Sequence, residues 1–230
     1  VTYAQVAVRV NRFANALRRL GVQPEQRIVL MQLDSPAFAC TFFGAIKAGV
    51  VPVPLNTMWR ARDYQYALRD SGARAAVVSE ALWREFAAID RSQLPHLRHV
   101  IVVGTAPEGA IALDDTCAAA PPQSETEPTH RDAMAFWLYS SGSTGSPKGC
   151  VHLQHDMVVC AEAYAVSVLG MRESDRCFSA AKLFFAYGLG NALYMPFAVG
   201  ATSILLPEPP TAARVYDIIE GQRPTLFFSV

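Results

Sequence analysis

The chain has 230 residues, 51% of them apolar, and its 20 basic side chains are matched by 20 acidic ones. That much apolar material fills one large core or two smaller ones. With balanced charge and no stripe of Lys and Arg interleaved with aromatics, nucleic acid and anionic membrane surfaces are excluded as natural partners, and no apolar run reaches the ~18 residues of a bilayer span.

The elements follow in chain order. Thr2 is set to cap a helix in which Val6, Val10, Phe13, Leu17 and Leu20 recur at steps of three and four until Gly21 stops it. This opening reads as a helix rather than a leader peptide. RIVLMQL (27–33) is a short apolar strand that delivers the chain through Asp34-Ser35-Pro36 into a helix over 36–48. VVPVPLN is extended, and its prolines keep it at a sheet edge or outside a ladder. ARDYQYALRDSG predicts a helix, AAVVS a strand, ALWREFAAI a helix and HVIVV a strand. Near-continuous apolar strands alternating with helices predict parallel sheets covered on both faces, an α/β fold of layered sheets flanked by helices. The segment 104–132 has no sustained period and reads as a connection between a first unit (1–103) and a second (133–230). In the second unit strands are expected at 136–139, about 177–181, 201–206 and 225–230, with helices at about 154–169, 188–197 and about 211–220.

Five cysteines, odd in number, widely spaced and without a CxxC pair, point to a reduced, cytoplasmic protein rather than a disulfide framework. There is no initiator Met, and TLFFSV closes the sequence as a β-type run, so a piece of a longer chain is expected.

The strongest local signal is Tyr139-Ser140-Ser141-Gly142-Ser143-Thr144-Gly145-Ser146-Pro147-Lys148-Gly149. Its glycines permit backbone turns in which successive N–H groups converge on an anion. The hydroxyls add donors, and Lys148 adds a point charge suited to phosphate. A Walker A loop would carry Gly directly before the Lys and Ser or Thr directly after it. Here Pro147 precedes Lys148 and Gly149 follows, so a helix cannot start as that loop requires. The physical reading is a clamp on a nucleotide triphosphate.

This stretch resembles the phosphate-loop signature of the adenylate-forming superfamily of acyl-CoA synthetases, luciferases and peptide-synthetase adenylation domains. FWLYSSGSTGSPKGCVHLQHD and DRCFSAAKLFFAYGLGNALYMPFAVGAT are similar to benzoate- and hydroxybenzoate-CoA ligases, and NRFANALRRLGV and FFGAIKAGVVPVPLNT extend the likeness over essentially the whole chain. The resemblance implies the N-terminal-domain portion of an enzyme that ligates an aromatic carboxylic acid to coenzyme A through an acyl-adenylate, with ATP, Mg²⁺ held through the nucleotide phosphates, and CoA. It implies that Ser140, Ser141, Gly142, Ser143, Thr144, Gly145 and Lys148 hold the ATP phosphates. Thr144 and Lys148 would be catalytic. Phe184, Phe185, Ala186, Tyr187 and Gly188 would line the acyl pocket, with Phe185 at the gating position. The family's remaining nucleotide contacts, its magnesium Glu and its C-terminal domain would lie beyond residue 230, leaving this piece alone inactive, and a homodimer stays open as an assembly.

The residues themselves agree with an aryl substrate, since a planar acid fits flat apolar walls and the rings of Phe184, Phe185 and Tyr187 stand close in sequence. An acid to hold a substrate ammonium is missing from this stretch, which argues against amino-acid activation. An aliphatic or fatty acid stays open as the substrate, as does a nucleotide-binding or scaffolding piece without catalysis. His152, His155 and Asp156 do not make a metal site, because no third or fourth ligand accompanies them. No nucleophile elbow of the form GxSxG is present. Cys150 has no specified base, and Arg60, Arg62 and Arg69 read as a solvated helix face.

Overall fold

The computed structural model describes residues 1–140 and 145–229, which divide into two compact units, Val1–His152 and Leu153–Val230. The first is built on a five-stranded sheet of order β2-β1-β3-β4-β5, from β1 (Arg27–Met31), β2 (Val51–Pro54), β3 (Ala75–Ser79), β4 (His99–Val103) and β5 (Ile111–Ala112). Each neighbouring pair runs parallel. β2 holds the edge, where Pro52 and Pro54 remove fewest ladder bonds.

Alternate residues of the strands are buried on opposite faces, as a sheet covered on both sides requires. Val29, Met31, Val53, Ala76 and Val78 join Tyr64, Ala67 and Leu68 of α3 (Ala61–Ser71) and Phe86 of α4 (Trp83–Ala87) in one core cluster. Ile28, Leu30, Val77 and Ile101 are equally buried. α1 (Tyr3–Arg19) packs on α2 (Pro36–Lys47), which lies against β1 and β2. α1 begins at Thr2 with a complete capping box, the Thr2 side chain accepting from the Gln5 N–H while the Gln5 side chain accepts from the Thr2 N–H. α2 is buried nearly all round through Phe38, Ala39, Cys40, Phe42 and Ala45.

The stretch 104–132 carries more structure than its composition predicts. It supplies β5 and a short helix α5 (Leu113–Ala118), and the chain after α5 is bound down along α1. Asn11 donates to the Pro122 carbonyl at 2.8 Å, Asn15 to those of Pro121 at 2.9 Å and Gln123 at 2.8 Å, and Arg18 to Ser124 Oγ at 2.6 Å. The Glu127 N–H then donates to the Lys47 carbonyl.

β6 (Met134–Ser140) runs alongside β2 and pairs with β7 (Lys148–Leu153) in a two-stranded sheet. Both strands belong mainly to the first unit, and β7 stands where the sequence reading passes directly from loop to helix. β6 is fixed on both faces. Trp137 and Tyr139 pack on the α3 side of the core, and Phe136 meets Phe42 of α2 at 5.4 Å between ring centroids.

The second unit centres on a three-stranded parallel sheet of order β10-β8-β9, from β8 (Arg176–Ser179), β9 (Thr202–Ile204) and β10 (Leu226–Phe228). Its two faces diverge at adjacent residues. Cys177 joins Ala161, Ala165, Met171, Met195 and Phe228 beneath the helical segments, whereas Phe178 joins Ile204, Leu206, Val215 and Ile218 under α9 (Ala212–Gln222). The helix expected over about 154–169 is α6 (Asp156–Cys160) continued by a π-helical stretch, Ala161–Val166. The next is α7 (Ala186–Leu189), a second π stretch Gly190–Tyr194, and α8 (Met195–Val199). No helix of the described residues is long and apolar enough to cross a membrane.

Candidate functional site

The described phosphate-loop candidates are Ser140, Gly145 and Lys148. Ser140 is the last residue of β6 and Lys148 the first of β7, and both are exposed. Ser141, Gly142, Ser143 and Thr144 lie outside the described residues. Gly145 has φ +113° with open space where a Cβ would stand. A side chain there would meet no neighbour and would still strain the backbone. The Cys150 thiol stands 3.5 Å from Ser140 Oγ, so the two described legs of the turn face each other.

Both legs are tied to α3. The Tyr139 hydroxyl donates to Asp70 Oδ2 at 2.6 Å, one residue before Ser140. The Tyr66 hydroxyl donates to the Pro147 carbonyl at 3.1 Å, one residue before Lys148. Burial first, and then the bond to Asp70, pushes the Tyr139 phenol well above its ordinary pKa, so it remains a donor. Trp59 packs edge-on against both Tyr64 and Tyr139, with ring centroids 6.1 Å apart in each pair. The Arg27 guanidinium lies 5.5 Å over the Trp137 ring. Tyr66 and Asp70 were not among the residues singled out from the sequence; they sit on a helix face that reads as solvated, and no local pattern announces partners so far along the chain.

The acyl-pocket candidates lie in the second unit, at the turn from β8 into α7. Phe184 is buried and its ring centroid is 4.3 Å from that of Phe185. Phe185, Ala186 and Tyr187 are exposed together, Phe185 at 45% and Tyr187 at 40%. The Tyr187 ring meets Phe228 at 6.4 Å, edge to face. Gly188 is buried, and a Cβ on it would lie 2.1 Å from the Lys182 carbonyl oxygen and 2.4 Å from that of Ala181. It lets α7 close on the preceding turn and holds the exposed rings where they are.

The discounted residues have structural partners. His152 stacks on Phe136 at 4.5 Å, and His155 Nε2 lies 3.3 Å from Asp156 Oδ1. Arg60 pairs with Glu85 at 3.0 Å, while Arg62 and Arg69 are exposed on α3. Among the described residues no group of three or more His, Cys, Asp or Glu is arranged to hold a metal ion.

Each unit is built on a parallel α/β sheet, and in the sequence a Ser/Gly-rich stretch with a lysine at its exit joins β6 to β7. The chain belongs to the AMP-binding enzyme family, whose model matches residues 1–230, within the adenylate-forming superfamily. Its sequence is similar to aryl-CoA ligases of that superfamily. It is 50% identical to the benzoate–CoA ligase of Thauera aromatica over 230 residues, covering all of this chain and 43% of that enzyme. Against the 4-hydroxybenzoate–CoA/benzoate–CoA ligase of Rhodopseudomonas palustris it is 45% identical over 232 residues, covering 100% of this chain and 42% of that one. The crystal structure of the anthranilate CoA ligase AuaEII in complex with anthranoyl-AMP superposes with a TM-score of 0.94 at 39% identity, covering 97% of this chain and 43% of that one. The chain therefore spans less than half the length of the relatives it matches.

Proposed function

We propose that the protein carrying this chain joins an aromatic carboxylic acid of the benzoate type to coenzyme A in an ATP-dependent, AMP-forming reaction. The observation that carries the aryl reading is the exposed pair of rings, Phe185 and Tyr187, flanking Ala186 on a turn with no acidic residue between Lys182 and Gly190. Flat apolar walls suit a planar ring, and the missing acid leaves a substrate ammonium without a partner. Similarity to ligases for benzoate and hydroxybenzoate supports the same class.

In the first half-reaction the substrate carboxylate attacks the α-phosphorus of ATP, a P–O bond forms, and pyrophosphate leaves. Ser140, Ser141, Gly142, Ser143, Thr144 and Gly145 would present N–H and hydroxyl donors to the β- and γ-phosphates. Lys148 would offset the charge that gathers on the departing pyrophosphate. Mg²⁺, which family membership implies, would travel with the nucleotide phosphates rather than on side chains of this segment. In the second half-reaction the CoA thiolate attacks the acyl carbonyl and AMP leaves with the bonding electron pair. Phe184, Phe185, Ala186, Tyr187 and Gly188 would shape the acyl side, and a fixed ring position serves both steps by orientation.

The test is thioester formation by the full-length protein with ATP, Mg²⁺ and CoA, read by mass spectrometry. Benzoate, 4-hydroxybenzoate and 2-aminobenzoate are set against hexanoate and alanine. The aryl acids are expected to give CoA thioesters and alanine none. Preference for hexanoate over every aryl acid would overturn the aryl reading.

A further inference from the structure

We propose that Tyr66 and Asp70 of α3 are positioning residues for Ser140 and Lys148, the two described legs of the phosphate-binding stretch, each holding one leg from a single face of one helix. The inference rests on the nucleotide-binding reading above and extends it to residues remote in sequence from the turn.

The two residues are four apart, which places them on the same face of a helix one turn from each other. Each reaches a different leg. Tyr66 donates to the Pro147 carbonyl, 81 residues away, and Asp70 accepts from Tyr139, 69 residues away. The first bond has a specific consequence. That carbonyl belongs to the peptide unit joining Pro147 to Lys148, which it shares with the Lys148 N–H. Fixing that carbonyl fixes the plane from which Lys148 departs into β7. On the other leg, the carboxylate of Asp70 makes the Tyr139 bond charge-assisted, and Tyr139 leads directly into Ser140.

The anchor itself is rigid. Tyr64, Ala67 and Leu68 are buried in the core, and the Tyr64 hydroxyl donates to the Asn56 carbonyl at 2.9 Å. At the start of the helix, Glu85 accepts from the Ala61 N–H and from Arg60, each at 3.0 Å. Ordering backbone and side chains around a ligand costs conformational entropy. Pinning both legs in advance removes part of that cost before ATP arrives, so the benefit belongs in nucleotide affinity.

The experiment compares Tyr66→Phe, Tyr139→Phe and their double variant in the full-length protein, with Tyr216→Phe, 65% exposed on α9, as control. ATP binding is measured by titration calorimetry, KM values by acid-dependent ATP–pyrophosphate exchange, and folding by circular dichroism and Tm. Each single variant is expected to weaken ATP binding and raise KM for ATP about 3- to 10-fold, the worth of one hydrogen bond. The double variant should approach the product of the two, with KM for the acid and the Tm essentially unchanged. Wild-type ATP affinity in both single variants would overturn the proposal, as would KM for ATP and for the acid rising together with a fall in Tm. If wild-type protein binds ATP but exchanges with no aryl acid, the aryl-ligase reading fails while the binding titrations still decide the role of Tyr66 and Asp70. If wild-type protein does not bind ATP, both fail.

Discussion

At Gly188 a methyl group would have to occupy space 2.1 Å from the Lys182 carbonyl oxygen, and the obstacle is backbone rather than the end of a flexible side chain. Gly188→Ala should therefore destabilise the second unit by about 1–3 kcal/mol, read as a shift in denaturant midpoint. Gly145 is the opposite case, with φ +113° and open space. Gly145→Ala should lower the denaturation midpoint by the equivalent of ~1–2 kcal/mol of backbone strain and weaken ATP binding. Lys148 stands exposed at the exit of that turn, so Lys148→Met should fold normally. The rate of acid-dependent pyrophosphate exchange should drop on the order of 100-fold, the usual effect of removing one preorganised charge-stabilising donor.

At the scale of elements, α1 uses its polar face as a clamp. Asn15 alone donates to two carbonyls of the chain that follows α5. Asn15→Ala should cost about 1 kcal/mol and hasten proteolytic cleavage within 119–127, with little change elsewhere. That clamp also explains what could and could not be read beforehand. The strands at 27–31, 75–79 and 99–103 are apolar except for one end residue each, Arg27, Ser79 and His99, because both faces are covered, and such runs announce parallel pairing. The Ser/Gly-rich stretch between β6 and β7 stands out by composition alone. β5 has two residues and α5 six, too few to express a period, and they are held by β4 and α1 rather than by their own propensity. β7 alternates Lys148, Cys150 and His152 with Gly149, Val151 and Leu153, a pattern with too little apolar contrast to separate a strand from the lead-in to a helix. The ties from Tyr66 and Asp70 join residues brought together only by the fold, and no window of sequence contains both ends.

For the whole molecule, three cysteines set an alkaline limit. Burial, the first cause in each case, raises Cys40, Cys117 and Cys177 from 9.0 to about 11. The folded state disfavours their thiolates, so their contribution to stability is complete below pH 9 and is lost as pH rises through 11. Stability should accordingly fall with pH across that window, measured by denaturant midpoints in reducing buffer. Replacing Cys177 with Ser should not abolish the fall, since the other two persist. The exposed Cys150 should react first with a thiol reagent at pH 8, well ahead of buried Cys40 and Cys177. The central claim concerns chemistry. The measurement that tests it most directly is acid-dependent ATP–pyrophosphate exchange by the full-length protein, with CoA omitted so that only adenylation is observed. The account predicts exchange driven by benzoate and its hydroxy or amino derivatives and none driven by alanine. Folded protein that binds ATP and exchanges with none of the aryl acids would contradict it.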